Sequence, residues 1–276
     1  MSTSLRHGAR ALIAAALLPL CTLPAHAEWQ TIRAAGALKV AVYTEFAPFS
    51  GKDGGIDVDL AAALAGKLGL KLSLLPFPAG ENLGDDLRNM VWKGHYLGYG
   101  PADVMLHVPI DRQLMSSNDK VQFFAPYHVE NVRLVRNAGR VPVLNGVESL
   151  VGKRIGVEKV SLAAMLMLGE ADGRYRDQVQ IFDTAAAALA QLKAGTVDAV
   201  LATRSEIDAA MLGDSRFPVD ELRFQRLPRS GWAVGMAVRK DDPETARQLQ
   251  QALDAMAASG ELKAIFARHG VHQSSP

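Results

Sequence analysis

From residue 38 onward the chain alternates between short Val- and Leu-rich runs and longer segments whose apolar residues recur every three to four positions. "LKVAVY" (38–43) alternates as a buried strand does. "EFAPFSGKDGG" follows as a loop, and "IDVDLAAALAGKLG" puts Val58, Leu60, Ala61, Leu64 and Leu68 on one helical face, ending near Gly69. "LKLSLLPF" reads as a second strand, "DDLRNMVWKG" as a helix stopped by Gly94, and "ADVMLHV" as a third strand. Strand, helix, strand, helix, strand implies a parallel sheet covered by helices.

A second unit repeats the pattern. "KRIGVEK", "VQIF" and "VDAVLAT" predict strands, separated by helices over "SLAAMLMLGEA" and "DTAAAALAQLKAG". Asp183 or Thr184 caps the latter and Gly195 stops it. The return is a strand over "WAVGMAVRK", a long helix capped by Asp242 with Pro243 in its first turn, and a short helix over "ELKAIFARHG". No Pro/Ser-rich joint or charge break divides the units, so they should associate closely, with crossings near 127–133 and 228–232.

Arg6, His7 and Arg10 precede a short apolar run, "ALIAAALLPLCTLP", and Ala25 and Ala27 have the spacing of a signal-peptidase site. Residues 1–27 are therefore expected to be a signal peptide, and the exported chain to start at Glu28 in the periplasm. The run is shorter than the roughly 20 residues of a membrane span, and no later segment is long and apolar enough. Cys21 is the single cysteine and lies inside the signal, so the exported chain is expected to have no disulfide, zinc-thiolate site or cysteine nucleophile. Removing Arg6 and Arg10 takes the net charge from +1 to about −1, with no clustered cationic face for nucleic acid.

Catalytic motifs are missing. There is no G-x-S-x-G, H-E-x-x-H or C-x-x-C, and "GVESLVGKR" has the wrong spacing for a phosphate loop, with Arg154 where a magnesium-binding hydroxyl belongs. Triads assemble from distant residues, so an enzyme stays open as a reading. Histidines 95, 107 and 128 with Glu45, Asp103 and Asp111 supply ligand types for a metal, but their spacing is not diagnostic. The expectation is no metal, no cofactor and no catalysis.

Several blocks carry a resemblance. "LKVAVYTEFAPFSGKDGGIDVDLAAALAGKLGLKL" resembles the opening of the family 3 periplasmic solute-binding proteins, the receptors of amino-acid ABC importers. "FAPYHVENVRLVRN" is similar to that family's crossing into its second lobe, and "SLVGKRIGV", "FDTAAAALAQLKAGTVDAVLA" and "GWAVGMAVRKDDPETARQLQQALDAMAASGELKAIFARHG" follow in family order. The resemblance implies an α/β, periplasmic binding protein-like (type II) fold of two lobes joined by two crossing segments. Lobe 1 would comprise 28–130 and 229–276, and lobe 2 131–228. "MVWKGHYLGYGPADVMLHVP" with "DKVQFFAPY" further resembles the quinoprotein alcohol dehydrogenase-associated (MxaJ/XoxJ-like) subgroup. That implies a non-catalytic accessory of a pyrroloquinoline-quinone methanol or alcohol dehydrogenase. The alternative is a receptor handing an amino acid or other small polar solute to an ABC permease.

The candidate ligand-binding residues are Glu45, Phe46, Phe49, Trp92, Tyr96, His107, Arg112, Ser161 and Thr203. Phe46 and Phe49 sit in a loop at a strand's carboxyl end, where open α/β sheets bind ligands. Trp92 and Tyr96, with Tyr99, either line the cleft or, for Trp92, end a helix against the core. Arg112 is either a carboxylate clamp or a surface ion-pair partner. Ser161 would cap a helix and offer a donor. By the resemblance, Thr203 stands where an acid usually grips the ligand's ammonium, which argues against an ordinary amino-acid ligand. Asp57 and Asp59 are read as capping and solvating the first helix.

Overall fold

The computed structural model describes residues 27–224, 227 and 231–276. The expected signal, apart from Ala27, and residues 228–230 of the expected return crossing lie outside the described residues. In chain order the elements are α1 (Ala27–Ala35), β1 (Ala37–Tyr43), α2 (Ile56–Lys67), β2 (Lys71–Phe77), α3 (Leu83–Leu87), β3 (Val104–Pro109), α4 (Arg112–Ser117) and β4 (Val121–Arg136). They continue with β5 (Ile155–Glu158), α5 (Leu162–Gly169), β6 (Val179–Phe182), α6 (Ala185–Ala194), β7 (Ala199–Thr203), α7 (Arg204–Met211), β8 (Val219–Asp220), β9 (Gly231–Arg239), α8 (Pro243–Ser259) and α9 (Glu261–Arg268).

The strands lie in the order β2-β1-β3-β9-β4-β7-β5-β6, with β8 beside β4. β1 is parallel to β2 and β3, and β5 to β6 and β7, as the alternating pattern predicts. β4 links the two sets. Its residues from Val121 to Asn131 pair antiparallel with β9, and Val132 to Arg136 pair antiparallel with β7. Because β9 also opposes β3, β4 runs in the direction of β3 and against β7. The carboxyl ends of β1 and β3 therefore point toward those of β5 and β7, and a groove lies between the two sets of ends.

Each half buries both faces of its strands. Leu38, Val40 and Val42 of β1 pack with α2, α8 and α9, while Ala41 faces Met90 and Met105 on the other side. The second half has its own two clusters, around Leu150, Ile155 and Leu201 and around Leu189, Leu192 and Val200. Leu60 and Leu64 of α2 are fully buried, each contributing about 1.5–3 kcal/mol relative to exposure. Thr184 and Asp242 cap α6 and α8 and Gly195 ends α6 in the left-handed region, all at the expected positions. The helix expected over "DDLRNMVWKG" is only five α-helical residues, followed by a π-helical turn over Arg88–Trp92. None of the described helices is long and apolar enough to cross a membrane.

Candidate functional site

The first wall of the groove grows out of β1. Beyond Tyr43 the chain doubles back, Phe46 and Ser50 exchanging N–H···O bonds of 2.8 and 2.9 Å. Gly55, at φ 148°, carries it into α2; a Cβ there would lie 2.2 Å from the Phe49 carbonyl oxygen. Phe49 is buried, and Phe46, half-buried, stacks on it with ring centroids 5.4 Å apart. Both rings pack on His107, at 4.7 and 4.0 Å. Phe46 thus forms the groove-facing layer and Phe49 its support, while Glu45 is exposed.

His107 owes its position to a β-bulge. The register of β3 against β9 shifts between Met105 and Val108, and that of β4 against the same strand shifts between Phe124 and His128. His107 and Ala125 take φ values of 57° and 50° there, a region costly for side chains other than glycine. Gly235 of β9 lies between the bulges, where a Cβ would come 2.6 Å from the Phe124 oxygen and 2.9 Å from Ile110 Cδ1. A buried polar chain holds the geometry. The Tyr127 hydroxyl accepts the His107 backbone N–H at 3.0 Å and donates to Asp57 Oδ1 at 2.8 Å. Asp57 Oδ2 lies 3.2 Å from His107 Nδ1. Burial, with the Asp57 charge, pushes the Tyr127 phenol up, so it keeps its proton. Asp57 is therefore an anchor beneath the groove and not a solvated helix residue; Asp59 meets Arg268 and His269.

The second wall is acidic. Glu158 closes β5, and the chain passes Lys159 and Val160 to Ser161, whose Oγ accepts the Ala164 N–H at 3.0 Å and donates to the Glu158 carbonyl at 2.7 Å. Val160 is fully exposed at φ 53°. Thr203 ends β7 and caps α7 in a reciprocal capping box, its N–H and Oγ1 both bonded to Glu206 Oε2 at 2.8 and 2.7 Å. Glu130, 2% exposed on β4, accepts the N–H of Asn131 at 2.9 Å and of Ser205 at 3.4 Å, while its Oε2 has no hydrogen-bond partner. Burial raises all three carboxyls. Glu206 is pushed up to about 7, chiefly by burial and further by the charges of Glu158 and Glu130. Lys159 is raised by its 2.8 Å pair with Asp183 and also feels Glu158 and, across the groove, Glu45.

His128, Ser205 and Glu130 imitate a nucleophilic triad but cannot work as one. His128 Nδ1 accepts the Ser274 N–H at 3.2 Å, so the ring proton sits on Nε2, 3.1 Å from Ser205 Oγ. The ring donates to the hydroxyl and has no free lone pair to take its proton. Burial lowers His128 to about 4, so it stays neutral.

The structure gathers Glu45, Phe46, Phe49, His107, Ser161 and Thr203 at the facing strand ends. It does not gather Trp92 and Tyr96 with them. Both precede β3, at the opposite end of the strands, because a parallel strand is entered from the end away from its carboxyl terminus. Trp92 ends the π-helical turn and is 37% exposed, and Tyr96 is 88% exposed. Arg112 opens α4, exposed beside the Asp111 cap, with no charge partner among the described residues. Two hollows of about 200 and 390 Å³ lie elsewhere, against α1 and α4. Thr203 stands at the end of β7 as read from the sequence, and Glu206 lies three residues on, within the influence of Glu158 and Glu130. The T-x-x-E spacing of "TRSE" was the available signal for Glu206. Among the described residues no group of three His, Cys, Asp or Glu could hold a metal ion; Asp103 instead accepts the Lys39 N–H and Asp111 caps α4.

Two parallel sheets joined through a shared antiparallel strand, with a groove between facing carboxyl ends, define the type II periplasmic-binding-protein fold. No family model and no curated protein sequence matches the chain. Among solved structures, an ancestral cationic amino-acid solute-binding protein is similar at TM-score 0.69 and 21% identity, over 88% of this chain and 99% of its own. A polar amino-acid ABC uptake transporter substrate-binding protein from Streptococcus thermophilus reaches 0.66 at 19% identity, over 90% and 91%. An amino-acid ABC transporter substrate-binding protein from Streptococcus pneumoniae, bound to L-arginine, reaches 0.62 at 19% identity, over 89% and 98%. These likenesses establish the fold.

Proposed function

We propose that the chain is a periplasmic solute-binding receptor of an ABC importer, whose two lobes (28–130 with 229–276, and 131–228) close on a small solute bearing a positive charge. The observation that carries this reading is the meeting of Glu130 within β4, Glu158 at the end of β5 and Glu206 in the first turn of α7, opposite Glu45 and Phe46. A buried ammonium or guanidinium needs carboxylate partners, and an aromatic face adds cation–π attraction. The cationic and arginine-bound ligands of two structural neighbours support the same class. Glu158 and Glu206 grip the cation, Phe46 and His107 cover it, and Ser161 and Thr203 shape the two helix starts. Arg112, unpaired at the head of α4, is retained as the group for a ligand carboxylate. Calorimetric titration with L-arginine, L-lysine, L-leucine and L-glutamate tests this. Binding of the basic amino acids, weakened at least about tenfold by Glu206→Gln, is expected; binding of glutamate or leucine alone refutes it.

One observation favours a second reading, the accessory to a quinoprotein alcohol dehydrogenase. The loop before β3 presents Tyr96 and Leu97, 88% and 67% exposed, from a turn closed by His95 N–H to Tyr99 O at 2.8 Å and Gly98 N–H to His95 O at 2.9 Å. His95 stacks on Tyr99 with centroids 4.3 Å apart. Exposed, preorganised aromatics suit a protein partner. Retention of the dehydrogenase on immobilised protein, lost in a Tyr96→Ala, Leu97→Ser variant, supports this role; no retention discards it.

A further inference from the structure

The residues after α9 take no part in the groove, yet they are tied to both sides of the junction. Val271 is buried in the core of the first half. Gly270, at φ 71°, lies so close to α7 that a Cβ would come 2.7 Å from Leu212 Cδ2 and 3.6 Å from Ala209 Cα. The His272 N–H reaches Asp208 Oδ2 of α7 at 3.4 Å. The chain then turns onto the irregular stretch of β4. Gln273 Nε2 donates to the Tyr127 carbonyl at 2.8 Å, the Ser274 N–H donates to His128 Nδ1 at 3.2 Å, and the Ser274 carbonyl accepts the Val129 N–H at 3.0 Å. Residues 270–272 thus hold α7, and 273–274 hold β4 just before it leaves β9 for β7.

The tie continues inward. His128 hands its Nε2 proton toward Ser205 Oγ in the first turn of α7, and the Ser205 N–H meets Glu130. α7 follows β7 with no intervening residue, is capped by Thr203 and carries Glu206 on its first turn. Whatever limits α7 limits that wall of the groove.

We propose that residues 271–274 are a strap, a non-covalent third connection between the halves, which restrains the swing of α7 and its groove wall about β4. The strap rests on the two-lobe reading for the motion it restrains, but on no ligand. Its position suits that role. It is pinned to the first half at Tyr127–Val129, two residues before β4 changes partners, so a rotation of the second half there must stretch its bond to Asp208 of α7.

The test is a distance measurement between the halves in the exported chain without added solute. Cys21 is the single cysteine, so Lys52→Cys and Gln180→Cys, both at exposed positions on opposite halves, accept spin labels without competition. Pulsed-EPR distributions are compared for the parent, a chain ending at Val271, and Ser274→Pro, which deletes one N–H donor. In both variants the distribution is expected to broaden toward longer distances, and the Val129 amide to exchange about tenfold faster or more. An unchanged distribution beside faster Val129 exchange overturns the strap, because the bonds would then be local anchors only. If the shortened chain does not fold, Ser274→Pro decides alone. A failed solute panel, by contrast, sinks the receptor reading and leaves this result standing.

Discussion

Replacing Tyr127 by Phe removes one oxygen from a ring that is 1% exposed, and changes no packing volume to speak of. The hydroxyl serves two buried groups, the His107 N–H at 3.0 Å and Asp57 Oδ1 at 2.8 Å, and water cannot replace it at either. A buried group stripped of its partner loses about 1–3 kcal/mol, and a charged one more. The two together therefore predict a loss of about 3–5 kcal/mol, or a fall in Tm of roughly 6–15 °C for a chain of this size. Tyr175 provides the control: it is also 1% exposed, and its hydroxyl has no hydrogen-bond partner among the described residues, so Tyr175→Phe should change stability by less than about 0.5 kcal/mol. Guanidinium titrations followed by circular dichroism measure both variants, with the slope required to stay constant. A Tyr127→Phe loss below about 1 kcal/mol, or one matched by Tyr175→Phe, refutes the claim that this hydroxyl holds the His107 bulge.

Three further outcomes follow from the same geometry. Folded Glu206 holds its proton up to about pH 7 against an ordinary 4.5. Its contribution is complete below the unfolded value and is lost as pH rises through about 7, a difference of roughly 3 kcal/mol. Denaturant midpoints taken between these two pH values should fall in the parent and flatten in Glu206→Gln; parallel slopes reject the assignment. Gly235→Ala forces a Cβ to 2.6 Å from the Phe124 oxygen, and a loss of about 1–3 kcal/mol is expected in thermal melts; no loss would mean that the paired bulges yield freely. Val160→Gly releases a β-branched residue from φ 53° and should gain about 0.5–1 kcal/mol, the left-handed penalty less glycine's greater chain entropy; a loss would show that the exposed side chain has a partner.

What the sequence made legible was the scaffold. Strands such as Ala37–Tyr43 and Ala199–Thr203 and helices such as that capped by Thr184 are set by local periodicity and end signals, and these survive tertiary packing. The loop residues Phe46, Phe49, Ser161 and Thr203 were legible because strand ends are countable. Trp92 and Tyr96 lie away from those strand ends, because aromatic content marks a loop as unusual without saying which end of the strands it occupies. That end follows from strand direction, and the residues before β3 lie at its entry. Glu130, Glu206 and Asp57 escaped for a different reason. Each looks like an ordinary surface acid in sequence: Glu130 is covered where β4 leaves β9 for β7, Asp57 in the first turn of α2 beneath Tyr127, and Glu206 is half-buried in the first turn of α7. The bulges are nonlocal as well: His107 is an apolar-strand residue by pattern and takes a positive φ only because Gly235 lets β3 and β4 deform on either side of β9.

The junction is built from polar groups where an apolar one would be more stable, and the reason is directional. β4 must leave one partner strand for another between Asn131 and Val132, pairing antiparallel with β9 before that point and with β7 after it. Apolar packing would tolerate several registers at that point, since burial has no direction. Hydrogen bonds do not: Tyr127 to Asp57, His128 to Ser205 and Glu130 to the start of α7 are each satisfied in one register only. Shifting β4 by one residue would turn Tyr127, His128 and Glu130 to the opposite faces and strand Asp57 without its donor. The polar network therefore selects the crossing, and the crossing is what sets Glu158 and Glu206 opposite Glu45 and Phe46. On this view the groove's chemistry is specified two layers beneath its surface, and Tyr127→Phe should loosen the register of Phe124–His128 in hydrogen exchange before it disturbs the strands on either side.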